Sequence, residues 1–164
     1  MDTLKECFDT ILRGNEKDSR LAARRVRKLL YSSQGGENKY NDIKNLIDGA
    51  PDEYAKISED WRQENFVIAI SVIHFLHDGE EHPDFLFPWL FQLLQRPNGY
   101  IRHSAVKMIC NEIGPLTYHI RFPDEKSDWH KFSPEQADSI LYSLFSCLNG
   151  LLNVLWQPKY KRYK

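Results

Sequence analysis

Residues 74–82 read HFLHDGEEH and gather the densest set of metal-ligand side chains in the chain: His74, His77 and His82, with Asp78, Glu80 and Glu81. Imidazole and carboxylate suit Zn²⁺ and related ions, and His74 and His77 at i, i+3 share a helical face. The i, i+4 spacing of HExxH is absent, however, and no cysteine lies nearby. The bland reading is a helix C-terminus whose imidazoles favour the dipole, followed by a solvated acidic turn. No cofactor is expected, and these three histidines stand only as metal candidates.

A second cluster is cationic. Arg20, Arg24, Arg25, Arg27 and Lys28 place five positive charges in nine residues with no acid among them. At i, i+4 spacing, Arg20, Arg24 and Lys28 line one helix face. Such a face can bind an anion, a phosphate or an acidic partner. The alternative is a solvated face neutralised by residues 37–64, which carry eight acids against four bases. The C-terminal Lys159, Tyr160, Lys161, Arg162, Tyr163 and Lys164 could stack on nucleic acid or simply form a solubilising end. No Gly-rich phosphate loop, GxSxG or Cys-His arrangement is present, so nothing positive points to an enzyme.

Composition narrows the classes further. The 164 residues include 41% hydrophobic and 27% charged residues, which is globular and sufficient for one domain. A formal net charge of -1 argues against a dedicated nucleic-acid binder. Cys7, Cys110 and Cys147 are odd in number and widely spaced, and read as reduced, mostly buried thiols. The N-terminus carries acids and has no apolar signal region, and the apolar run at 66–76 is too short to span a bilayer. The expectation is a soluble cytoplasmic protein without a membrane segment, monomeric or weakly dimeric.

The elements that would position these residues are helices. Apolar residues recur at helical spacing over 3–13, 18–31 (with Asp18 as N-cap), 40–47 and 51–57. The helix over 59–77 is apolar nearly all round in its second half, which marks it as the central element. Residues 83–95 form another apolar helix, kinked or restarted at Pro88. A further helix over 100–113 stops at Gly114-Pro115. Residues 115–132 show no clear period and form a long connection. Ser133, Pro134 and Gln136 then open a long helix through residue 157, with a basic tail over 158–164.

The helices repeat. Arg20, Arg62 and Arg102 lie 42 and 40 residues apart, each early in the second helix of a pair. Aligning on arginine matches Ala23, Asn65 and Ala105, then Val26, Ile68 and Met108, then Tyr31, Ile73 and Ile113. The segment RPNGYIRHSAVKMICNEIGP at 96–115 resembles the second half of a HEAT repeat through Pro97, Ile101-Arg102, Ala105, Met108 and Ile109. It departs at Arg96, where the family often has an aspartate laddering with a neighbouring arginine. The resemblance covers residues 2–115 and implies a single all-α domain over 1–164. That domain would be a right-handed α-α superhelix of about three helix pairs (2–35, 38–79, 83–115) plus the long C-terminal helix.

HEAT-like folds mostly bind other molecules. The second helices would line a concave side, with Phe66, Val67 and Ile70 forming an apolar groove rimmed by Arg24, Lys28, His103 and Lys107. Trp61 and Tyr100, at helix starts, join this surface, and residues 115–132 or a partner would cover it. The expected function is therefore a protein-protein interaction module or scaffold binding a partner protein or peptide. The alternative is nucleic-acid binding of the HEAT-like DNA-glycosylase kind through a basic concave patch.

Overall fold

The computed structural model describes residues 3–31, 38–77, 84–124 and 131–155. Among them, the secondary structure is helical with no strand. The helices are α1 (Leu4–Arg13), α2 (Glu16–Leu30), α3 (Asn38–Asp48), α4 (Ala50–Lys56), α5 (Asp60–Ile73), α6 (Phe87–Leu94), α7 (Gly99–Leu116), α8 (Tyr118–Arg121) and α9 (Pro134–Leu155). A 3₁₀ turn over His74–Leu76 continues α5.

Side-chain caps explain where four of these helices begin. Thr3 and Glu6 form a reciprocal capping box on α1. Ser133 and Gln136 do the same for α9, as their spacing predicts. Asn98 accepts from the backbone N–H of Tyr100 and Ile101 at the start of α7. The N-cap of α2 is Asn15 and not Asp18. Asn15 accepts from the Asp18 N–H and donates to its carboxylate, so Asp18 serves as an in-helix support.

Basic side chains close the other ends. Lys39 Nζ donates to the carbonyls of Leu29 and Leu30 at the end of α2. Arg62 Nη1 reaches across from α5 to the carbonyls of Ile11, Leu12 and Gly14 at the end of α1. Arg102 Nη1 reaches Arg96 and Pro97, just past α6. Lys39 and Arg62 place positive charge where a helix leaves its last carbonyls unsatisfied, and Arg102 holds the turn that follows α6. Arg20, the third arginine of the repeat register, is exposed and makes no such cap.

α2, α5 and α7 pack side by side with α5 between the other two, while α1 packs on α2 and α6 packs on α7. α5 packs on α2, α7, α1, α3 and α4, and α9 closes the far end against α6 and α7. The core centres on α5 and includes Phe66, Val67, Ala69, Ile70 and Ile73. Phe8 of α1 meets Phe66 edge-on with ring centroids 6.0 Å apart. Phe87 and Trp89 are buried, and Tyr54 of α4 stacks edge-on against Trp89 at 5.8 Å. Pro88 sits in the first turn of α6 and so starts it.

The arginine at the α6–α7 turn works as a reversed ladder. Arg96 Nη2 donates to Gln63 Oε1 at 2.8 Å and lies 3.7 Å from Asp60 Oδ1. Asn98 Nδ2 donates to Glu64 Oε2 at 2.8 Å. The cation therefore stands in the turn and its acceptors stand on the neighbouring helix α5.

Three local expectations are corrected. α7 does not stop at Gly114-Pro115 but runs to Leu116, because Pro115 falls in the last turn. The missing N–H there removes one bond only, while Thr117 N–H and Oγ1 both donate to the Ile113 carbonyl. The connection over 115–132 is not structureless: it contains α8, held by Arg121 Nη2 on the Gly114 carbonyl and by His119 on Asp138 at 2.9 Å. Of the cysteines only Cys7 is buried; Cys147 is half-buried and Cys110 exposed.

Candidate functional site

On α2, the buried positions Ser19, Ala22, Ala23, Val26 and Leu30 face the core. The remaining positions put Arg20, Arg24, Arg27 and Lys28 in solvent. Among the described residues, none of these four lies within ion-pair distance of a carboxylate. Five of the eight acids of residues 37–64 are engaged elsewhere. Asp48 pairs with Lys44 and with His77, and Glu53 pairs with Lys56. Glu59 holds Arg62, Asp60 faces Arg96, and Glu64 accepts from Asn98. Neutralisation of α2 by that acidic stretch is thus not what the described residues do.

Next to α2, a solvent-facing side of α5 and its 3₁₀ extension carries Trp61, Glu64, Ile68, Val72 and Phe75, which recur three and four residues apart. Phe75 is 50% exposed, the others are half-buried. Trp61 also carries the Arg62 guanidinium over its ring at 4.4 Å. On the far flank, α7 presents Tyr100, His103, Val106 and Lys107, all exposed. The combined surface is an apolar strip on α5 between the cationic side of α2 and His103 and Lys107 of α7.

The expected groove residues need correction. Phe66, Val67 and Ile70 are 2%, 0% and 0% exposed and lie under the surface. Phe8 of α1 packs on Phe66, and α5 is further packed by α2, α3, α4 and α7. The rim residues Arg24, Lys28, His103 and Lys107, with Trp61 and Tyr100, do reach the surface. Ile68, Val72 and Phe75 are the apolar residues that sequence reading missed. Their signal was Trp61 itself, since residues 61, 68, 72 and 75 fall on its helical face.

The histidines separate. His77 Nε2 lies 2.7 Å from Asp48 Oδ1 and its ring packs on Phe85. Burial raises the Asp48 carboxyl, but the hydrogen bonds and charges of Lys44 and His77 together outweigh it and hold the group below its usual range. His74 is buried, with Nε2 3.9 Å from Glu112 Oε1. Its Nδ1 has no hydrogen-bond partner. Lys131 Nζ sits on the other Glu112 oxygen at 2.7 Å. Burial first, then the charges of Lys131 and His77, push the His74 imidazole down to about 4, so it is neutral near pH 7. His82 lies outside the described residues, as do Asp78, Glu80, Glu81 and the tail over 158–164. Among the described residues no three His, Cys, Asp or Glu side chains converge on a metal-sized space.

A cleft of about 370 Å³ lies between α1 and α2, lined by Glu6, Cys7, Asp18, Leu21 and Arg25 among others. Glu6 and Asp18 there are already engaged in capping their helices. No helix among the described residues is long and apolar enough to cross a membrane. No family model matches this chain, and neither a curated protein nor a solved structure matches it.

Proposed function

We propose that this protein is a HEAT-like interaction module, a right-handed α-α superhelix of three helix pairs closed by α9. Its ligand is an acidic amphipathic helix or peptide of a partner protein, bound across the solvent-facing sides of α2, α5 and α7. One observation carries the reading: four α2 cations that have no carboxylate partner among the described residues stand beside the half-exposed strip Trp61, Ile68, Val72 and Phe75. An apolar strip anchors the buried face of a ligand helix, and flanking cations select an acidic rim. Arg and aromatic side chains are also those that dominate binding energy when desolvated. Nothing in this reading requires catalysis or a cofactor.

The test is titration of the ¹⁵N-labelled protein with a synthetic helical peptide, glutamates on one face and leucines on the other. Shifts concentrated at Trp61, Ile68, Val72, Phe75, Arg24, Lys28, His103 and Lys107 are expected. Shifts elsewhere, or none at millimolar peptide, would sink the proposal. A fluorescent DNA duplex is titrated in parallel over a salt series. Tight binding that weakens steeply with salt would transfer the same surface to nucleic acid.

A further inference from the structure

α9 is held to the domain mainly through its beginning. Phe132 is buried with its ring 5.9 Å from that of Phe87 on α6, and Ala137 and Ile140 are buried in the first two turns. Further along, Leu144, Cys147 and Leu151 are only half-buried. At this anchor Lys131 Nζ meets Glu112 Oε2 of α7 at 2.7 Å and lies over the Phe132 ring at 5.6 Å. Behind the pair sits His74, whose Nε2 is 3.9 Å from the other oxygen, Glu112 Oε1. The His74, Glu112 and Lys131 side chains are 3%, 9% and 22% exposed, so the lysine stands at the rim.

We propose that Glu112 is a two-partner switch: Lys131 holds it while His74 is neutral, and protonated His74 takes it over in acid, which releases the start of α9. With neutral His74 the centre holds one carboxylate and one ammonium and is balanced. A proton on His74 adds an uncompensated positive charge where water does not reach. Expelling one cation restores the balance, and Lys131 is the one beside solvent. His74 Nε2 needs to approach Oε1 by only about 1 Å to reach hydrogen-bond distance. The imidazolium then gives Glu112 a charge-assisted hydrogen bond in place of the lysine. Among the described residues, the charged groups that reach His74 are Glu112 from α7, Lys131 ahead of α9 and His77 on its own turn, itself paired with Asp48 of α3. The charges of α5, Asp60, Arg62 and Glu64, lie in its first two turns, at the far end from His74. Burial, then Lys131 and His77, hold the enclosed imidazole down to about 4. The released state binds the proton more readily than the closed one, so release is favoured as pH falls from about 6.5 toward 4.

The cysteines report on this exchange. Cys147 lies on the inner side of α9 with Sγ 3.8 Å from the Phe91 carbonyl oxygen, Cys110 is exposed on α7, and Cys7 is buried on α1. The experiment follows the reaction of each thiol of the full chain with a dipyridyl disulfide at pH 7 and pH 5, resolved by mass spectrometry. Scaling to Cys110 removes the reagent's own pH dependence. Cys147 is expected to react at least about fivefold faster at pH 5 than at pH 7 on that scale, while Cys7 stays protected. His74→Phe is expected to remove the acid response. Lys131→Gln is expected to speed Cys147 already at pH 7 and to raise the pH at which the His74 ring titrates by NMR, because one opposing cation is gone. A Cys147 rate that does not change with pH overturns the proposal. A joint rise of Cys147 and Cys7 does so too, since it marks unfolding of the whole domain. An acid response that persists in His74→Phe, or a His74 titration that Lys131→Gln leaves in place, shows that the two groups do not compete for Glu112. Where His74→Phe does not fold, the native chain and Lys131→Gln carry the test alone.

Discussion

Asn65 Nδ2 donates to Ser19 Oγ at 3.1 Å, and Ser19 Oγ donates onward to the Ile11 carbonyl at 3.0 Å. Both side chains are buried, so this short relay ties α5, α2 and α1 together where water cannot replace it. Its register position is telling. Ala23 and Ala105 occupy the equivalent places on α2 and α7, both buried and both without a polar group. One polar bridge among repeated alanines sets which helix lies beside which, because a slipped register strands both groups in the core.

The relay should therefore show coupling in a double-mutant cycle. Ser19→Ala leaves Asn65 Nδ2 without an acceptor and is expected to cost about 1–3 kcal/mol in urea unfolding. Asn65→Ala is expected to cost about 1–2 kcal/mol, since Ser19 keeps its bond to Ile11. The double variant should lose clearly less than the sum, because no orphaned donor remains. Strict additivity would show that the two side chains do not depend on each other.

Arg62 and Arg102 look alike in the repeat but do different work. Arg62 is largely shielded and spans three carbonyls of a helix about fifty residues earlier. Arg102 serves two carbonyls five and six residues earlier, in solvent. A lysine keeps the charge but lacks the planar fork that reaches several acceptors at once. Arg62→Lys is expected to destabilise by roughly 1–3 kcal/mol and to speed amide exchange at the end of α1. Arg102→Lys is expected to stay within about 0.5 kcal/mol of the native chain. Equal losses at the two sites would refute the distinction.

Much of the fold was legible because its punctuation is chemical. Ser133 with Gln136 and the prolines in first helical turns mark boundaries by local chemistry that needs no tertiary information. The face of α5 was not legible, for a physical reason. Its second half is apolar on every side, so periodicity cannot say which side meets a neighbour. Phe66, Val67 and Ile70 were expected at the groove surface, and Ile68 and Val72 were not picked out for it. The misplaced N-cap of α2 has a similar origin: Asn15 and Asp18 are both good caps, and only the observed bonds choose between them. The pairing of Asp48 with His77 and of Asp60 with Arg96 was out of reach too, since these partners lie 29 and 36 residues away.

The His74 centre sets a pH dependence. A folded imidazole pushed down to about 4 from an ordinary 6.5 binds fewer protons than the unfolded chain between those values. Stability is thus fully present above about pH 6.5, falls as pH drops toward 4, and levels off below. The lowered imidazole accounts for roughly 3 kcal/mol over that window, moderated by relaxation around Glu112 and Lys131. His74→Phe should flatten the unfolding free energy between pH 6.5 and 4.5. Asp48, also held low, acts only as pH falls toward the ordinary carboxylate range, with its His77 and Lys44 partners retained. An unchanged slope in His74→Phe would assign the pH dependence to other groups.

The peptide surface makes the opposite kind of prediction, large for binding and small for stability. Arg24 and Lys28 are exposed on α2 and pair with no carboxylate among the described residues, so reversing their charge breaks no ion pair in the fold. Arg24→Glu with Lys28→Glu is expected to shift the melting temperature by no more than about 2 °C. The same change places two acids opposite an acidic ligand. Affinity for the glutamate-leucine helix should fall at least about tenfold, mainly through slower association, and the loss should shrink with added salt. Ile68→Ser removes part of the apolar strip and leaves the charges in place, so it should weaken binding through faster dissociation and with little salt dependence. Stopped-flow measurement of both rates on the two variants decides the matter. Equal salt dependence in both, or charge reversal without effect, would mean that α2 is only a solvated face.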